Sequence, residues 1–254
     1  MYQIIDTHAH LDEIENLDVV LEQAKKAGII GVIAVGQDLA SNVKTLEIAA
    51  RYPGFVYPAL GLHPWNIREP EIDACLEFIE ANVSKAVGIG EVGLDYHKRV
   101  RAAADKDLQK RVLKELLQIA GENDKPVLIH SRYAWRDAYE MVREAGLAKA
   151  VFHWYTGTSG VLRDIIESSY YISVTPAVEY HEEHRRAVKE TPLSQLLLET
   201  DSPVVYARGR EGEFKATPAD TARSLKGAAA LKGLSEREIA EATTENAKRL
   251  IGII

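Results

Sequence analysis

The sequence predicts an α/β chain folded as a single (β/α)8 TIM-type barrel over residues 1–254, with an extra C-terminal helix. Three observations carry that prediction. Eight short runs are almost all continuously apolar, as strands are when helices cover both faces of a parallel sheet. Segments with apolar residues at helical spacing lie between them. The chain has 254 residues, 46% of them hydrophobic, the usual size of one such barrel. Strands alternating with helices also suit an open doubly wound sheet, but a count of eight favours closure.

Taken in order, the strands are expected at residues 3–6, 31–36, 55–62, 86–91, 126–130, 150–153, 170–174 and 195–199. After the first, Leu17, Val20, Leu21 and Ala24 share a helical face that ends at Ala27-Gly28, a glycine C-cap. Leu108, Val112, Leu116 and Ile119 mark the helix before the fifth strand. Ala138, Met141, Val142 and Ala145 mark the next, closed by Gly146. Ser235 and Glu238 form an S-x-x-E capping box that opens a tail helix over residues 235–250. The sequence contains no internal repeat, low-complexity stretch or interdomain linker.

Net charge −7, from 31 basic and 38 acidic residues, argues against broad adhesion to nucleic acid or anionic membrane, while leaving room for a local basic patch. The lone Cys75 excludes an internal disulfide or thiolate cluster and reads as a small buried thiol. Apolar strand sequence begins at the fourth residue, and no run reaches the ~18 apolar residues of a membrane span, so a cytoplasmic protein without a membrane partner is expected.

The chemistry is concentrated where strands run out. His8, His10, His63, Glu91, His130, His153 and Asp201 all lie at such ends. Alternate residues of an extended strand share a face, so His8 and His10 project together while Thr7 and Ala9 point away. A single H-x-H also fits two histidines hydrogen-bonded in a polar strand end. Closing a barrel brings the other strand ends to the same mouth, which is what a divalent-metal site requires.

Seven motifs, in order, resemble one family. They are D-T-H-A-H-L-D at 6–12, G-L-H-P at 61–64, G-E-V-G-L-D-Y at 90–96, P-V-L-I-H-S-R at 126–132, H-W-Y-T-G at 153–157, L-E-T-D-S-P at 198–203 and T-E-N-A-K-R-L at 244–250. Together they are similar to the TatD-type metal-dependent hydrolases, amidohydrolase-like barrels often named TatD deoxyribonucleases. The resemblance implies two divalent ions. His8, His10, Glu91 and Asp201 would hold one; Glu91, His130 and His153 would hold the other, with Glu91 bridging. It also implies catalytic work for Glu91 and Asp201, the latter orienting or deprotonating a water. Nitrogen and oxygen donors without thiolate suit Zn, Mn or Mg.

Other residues carry two readings. His63 could contact the substrate or a metal, or hydrogen-bond a ligand. Glu199 could support the metal site or be a structural carboxylate, and Asp95, expected in a loop, could do the same or stabilise a turn. His97, His181 and His184 fall in charged contexts and are expected to be exposed and without special role. Arg68, Lys98, Arg99, Arg101, Arg132, Arg208, Arg210 and Lys215 are expected around the mouth, alongside Glu179, Glu211 and Glu213. Such a rim would suit the anionic oxygens of DNA or another phosphodiester, with Arg132 the best-placed cation. Three stretches depart from the family pattern. Trp154-Tyr155 replaces a small residue followed by Phe, residues 204–208 lack a proline-rich approach, and residues 215–218 replace an Asn-containing turn. The leading expectation is a metal-dependent deoxyribonuclease. The alternatives are hydrolysis of an ester or amide, such as an aminoacyl ester on tRNA or a small cyclic amide, and a barrel that binds without turnover.

Overall fold

The computed structural model describes residues 2–253. Eight parallel strands pair in chain order: β1 (Ile4–Ala9), β2 (Ile29–Val35), β3 (Val56–Leu60), β4 (Gly88–Asp95), β5 (Val127–Arg132), β6 (Ala150–Phe152), β7 (Tyr171–Val174) and β8 (Leu196–Leu198). The ring is drawn nearly closed just beyond β8. Ala9 bridges Ser202, His10 N donates to Ser202 O at 2.7 Å, and Asp201 N donates to His8 O at 2.9 Å. Asp6 reinforces the seam, its carboxylate accepting from Thr200 N at 3.0 Å and Thr200 Oγ1 at 2.6 Å.

The helices wrap the outside: α1 (Leu17–Lys26), α2 (Leu39–Arg51), α3 (Glu69–Asn82), the short α4 (Lys98–Arg101), α5 (Lys106–Glu122), α6 (Trp135–Glu144), α7 (Ser159–Glu167), α8 (Glu182–Glu190) and α9 (Thr221–Lys232). Except for the four-residue α4, which buries none of its residues, each presents an apolar stripe to the sheet; in α5, Val112, Leu113, Leu116 and Leu117 are all buried. The expected tail helix is α10 (Glu236–Ile251), and Ser235 and Glu238 form its capping box. It covers the end of the barrel opposite the histidines. Ala247 and Leu250 pack on Ile5, Val151, Tyr171 and Leu197, and Asn246 Nδ2 donates to Leu193 O and Leu196 O at 2.9 and 2.8 Å. Cys75 is buried in α3, as expected. Among the described residues no helix is long and apolar enough to cross a membrane.

Three strands run further than their apolar runs, β5 continuing to Arg132 instead of stopping at residue 130. β1 continues to Ala9 instead of stopping at residue 6, and β4 continues to Asp95 instead of 91. Glu91 is therefore inside a strand, and Asp95 ends that strand instead of sitting in a loop. The ladder persists because Gly93, Leu94 and Asp95 pair with His130, Ser131 and Arg132. Backbone pairing is indifferent to polar side chains that find partners at the barrel mouth. A hairpin not expected from sequence, β9 (Val205–Tyr206) with β10 (Phe214–Lys215), follows β8 and carries Arg208 and Arg210 in its exposed turn.

Candidate metal centre

The site is organised around one carboxylate. Glu91 projects from β4 between two backbones that approach too closely for a side chain. A Cβ on Gly61 would lie 2.4 Å from Glu91 O, and one on Gly93, at φ +147, would lie 2.0 Å from His130 O. Only glycine fits at either place. Asn42 holds the Gly61 turn by donating to Gly61 O at 2.8 Å and accepting from Gly61 N at 3.0 Å, which sets the exit of β3 toward His63.

The two oxygens of Glu91 face different neighbours. Oε2 lies 3.3 Å from His8 Nε2 and 3.4 Å from His10 Nε2, and the same two nitrogens lie 3.7 and 3.3 Å from Asp201 Oδ1. Oε1 lies 2.8 Å from His153 Nε2, 3.0 Å from His130 Nδ1 and 3.3 Å from His63 Nε2. All seven residues named from the strand ends thus meet in one cluster.

Behind them stand two more carboxylates. The His8 and His153 rings are parallel, 4.1 Å apart and tilted by 8°. Each turns Nε2 toward Glu91 and Nδ1 toward the fully buried Glu199, whose Oε2 is 3.9 and 3.6 Å away. Trp154 N holds the other oxygen of Glu199 at 2.9 Å. His130 is turned the opposite way: Nδ1 faces Glu91, and Nε2 lies 3.2 Å from Asp95 Oδ2. Asp95 is fully buried and also accepts from Trp65 Nε1 at 2.6 Å and from both Nε and Nη2 of Arg132, at 3.1 and 2.8 Å. By taking the outer nitrogen of His130, Asp95 fixes which nitrogen of that imidazole faces inward, while Glu199 stands beyond hydrogen-bond distance of His8 and His153.

Charge is tightly balanced here. Burial alone would raise Glu91, but His63, His153, His8 and a hydrogen bond from His10 hold it well below the carboxylate range. Burial would lower His10, yet Asp201 and Glu91 push it up to about 10. His153 is likewise raised against burial by Glu91 and Glu199, and His130 by Asp95 and Glu91. Burial dominates at His63 and leaves it neutral, at about 4. So many inward nitrogens around buried anions call for positive charge, which protons or cations can supply. His8 Nδ1, His153 Nδ1 and Glu199 Oε2 find no hydrogen-bond partner. His8–His10–Glu91, His8–His153–Asp201 and His63–Glu91–His130 each bring ligand atoms within 4.8 Å of one another. The donors fit divalent metal by geometry, charge and chemistry.

A model of the family of TatD-related DNases matches residues 5–252. The chain belongs to the TatD family. It is 34% identical to the deoxyribonuclease TATDN3 of Homo sapiens, covering 97% of this chain and 94% of that protein. To the uncharacterized metal-dependent hydrolase YabD of Bacillus subtilis it is 35% identical, covering 98% and 99%. The crystal structure of YJJV, a TatD homolog from Escherichia coli, superposes with a TM-score of 0.87 at 27% identity, covering 99% and 98%.

Against the TatD pattern, the altered residues have visible employment. Trp154 packs 5.3 Å from the Tyr206 ring, and the Tyr155 hydroxyl donates to Thr158 O at 2.9 Å. Arg132 lies at the mouth as expected, with part of its charge engaged by Asp95. Arg68, Lys98, Arg99, Arg101, Arg208, Arg210 and Lys215 are exposed, whereas Glu179 is tied to Arg223. Trp65, which anchors Asp95, went unnoticed in the sequence; its only signal was its place two residues after His63.

His184 departs from expectation, being fully buried. It lies on the inward face of α8, a placement that the charged neighbours Glu182, Glu183, Arg185 and Arg186 conceal in the sequence. Its Nε2 accepts from Thr175 N at 3.1 Å, so Nδ1 carries the hydrogen and donates to Tyr155 O at 3.1 Å. Burial holds it neutral, at about 4. The unfolded imidazole binds a proton near pH 6.5. Below that pH the unfolded state therefore carries more protons, and the stability held in full above pH 6.5 is lost as pH falls toward 4, by on the order of 3 kcal/mol. Urea unfolding of metal-free protein at pH 7 and 4.5 is expected to show a smaller acid loss in His184→Gln. Equal losses would assign the acid sensitivity elsewhere.

Proposed function

We propose that this chain is a divalent-metal-dependent deoxyribonuclease that hydrolyses phosphodiester bonds at a two-ion centre. The observation that carries the reading is the division of Glu91, whose oxygens face separate sets of imidazoles. His8, His10 and Asp201 with Glu91 would hold one ion, and His130 and His153 with Glu91 the other. The similarity to a protein named a deoxyribonuclease supports DNA as the substrate. Zn, Mn and Mg all suit the donors. Bound divalent ions supply Lewis acidity toward the phosphoryl oxygens and lower the pKa of water.

The chain's own residues handle the proton and the substrate. Burial would raise Asp201, but the hydrogen bond from His10 and the charges of His8, His10 and His153 keep it below its ordinary range. As an ionised carboxylate at the cluster it orients the attacking water and takes its proton. His63, neutral and 3.3 Å from Glu91, faces the same space. Arg132, locked by Asp95 and only partly exposed, directs its remaining N–H groups to a phosphate oxygen.

Chelator-stripped protein reloaded with each metal is expected to cleave a single-stranded oligodeoxynucleotide, with kcat/KM falling as salt rises and in Arg132→Ala. Cleavage of an aminoacyl ester or cyclic amide with DNA left intact would replace the nuclease reading by the acyl one.

A further inference from the structure

We propose that Tyr133 and Trp65 form stacking surfaces for nucleobases of the substrate strand, Trp65 beside the Arg132 guanidinium and Tyr133 next to it along the chain. The proposal rests on the nuclease reading and extends it from the phosphate to the base. Among the described residues, the two most exposed aromatic side chains are Tyr133, at 61%, and Trp65, at 48%. Single exposed aromatics need no explanation, but both of these follow barrel strands at the mouth that holds the site. Trp65 follows β3 and Tyr133 follows β5, and Arg132 links them.

The guanidinium of Arg132 lies 5.3 Å from the centre of the Trp65 ring while Asp95 grips its edge. Tyr133 is the next residue along the chain. Both rings are braced despite their exposure. Trp65 is set edge-on to His63 at 5.1 Å, with its indole N–H on Asp95. Tyr133 lies 6.3 Å from the His97 ring at an interplanar angle of 25°, and 5.9 Å from Trp135 at 67°.

The backbone adds an independent sign. Tyr133 has φ +59, a left-handed conformation that a bulky residue rarely adopts. Such cost is usually borne where function needs a side chain aimed in a particular direction. Here it turns an aromatic ring outward three residues after His130. Rigid, exposed rings beside a cation suit a base, because every base presents a π face and immobilised rings lose little entropy on binding.

The test compares KM for oligothymidylate with KM for an oligomer of the same length built from abasic tetrahydrofuran phosphates. Both are measured on metal-loaded protein at one salt concentration. Wild type is expected to favour the base-bearing strand by about ten-fold in KM. The preference falls toward one in Tyr133→Ala and in Trp65→Ala, and survives in Tyr133→Phe, which keeps the ring. A preference unchanged in both alanine variants overturns the stacking role while leaving the nuclease reading intact. If wild type cleaves neither oligomer, the nuclease reading fails and the stacking role with it.

Discussion

Glu91→Ala is expected to lower bound metal from about two divalent ions per chain to one or fewer. Hydrolysis should fall by at least the ~10²–10⁴-fold typical of losing a general base. Among the described residues, no other carboxylate comes within 4.0 Å of the inward-facing nitrogens of both sets of imidazoles. Asp201 lies near His8 and His10, at 3.7 and 3.3 Å, while Glu199 and Asp95 face only the outer nitrogens of His8, His153 and His130. Removing Glu91 also leaves His63, His130 and His153 converging on empty space, with the carboxylate that raises His130 and His153 gone. Elemental analysis after reconstitution, read beside turnover of an oligonucleotide, checks both parts. Two ions per chain in the variant would show that the two sets do not share this ligand.

Asp201→Asn separates holding metal from moving a proton. Asparagine keeps the shape, can still offer an oxygen, and tolerates the left-handed backbone at this position, φ +49. It loses the negative charge that lets Asp201 accept a proton. The variant is expected to retain at least one ion and lose ~10²-fold or more in kcat. Metal content and single-turnover cleavage measured on the same preparation decide it. Near wild-type turnover at full loading would move proton handling to another group.

The framework of the site was legible because strand ends are marked twice in the chain. An apolar run stops, and a residue with metal-binding chemistry stands where it stops. His8, His63, His130, His153 and Asp201 were found in that way. Glu91 was found by the same rule, although it, like His8 and His130, lies within its strand, where the ladder continues through the polar residues of the mouth. The β9–β10 hairpin was missed because two-residue strands leave no periodicity to read.

By itself, then, the order of apolar runs and the chemistry at their ends determined the barrel, its tail helix and the set of side chains able to converge at one mouth. Tertiary structure alone decided how they converge. It divided the oxygens of Glu91 between two groups of imidazoles, and set Glu199 behind His8 and His153. It gave Asp95 to His130, Trp65 and Arg132 together, turned Tyr133 outward, and buried His184 on the inner face of a charged helix. The reason is physical. Strand and helix periodicities depend on neighbours a few residues apart, so they can be read along the chain. Which nitrogen of a histidine faces inward, and which carboxylate meets it, depends on side chains up to 191 residues away, as between His8 and Glu199. These are brought within ångströms only when the barrel closes.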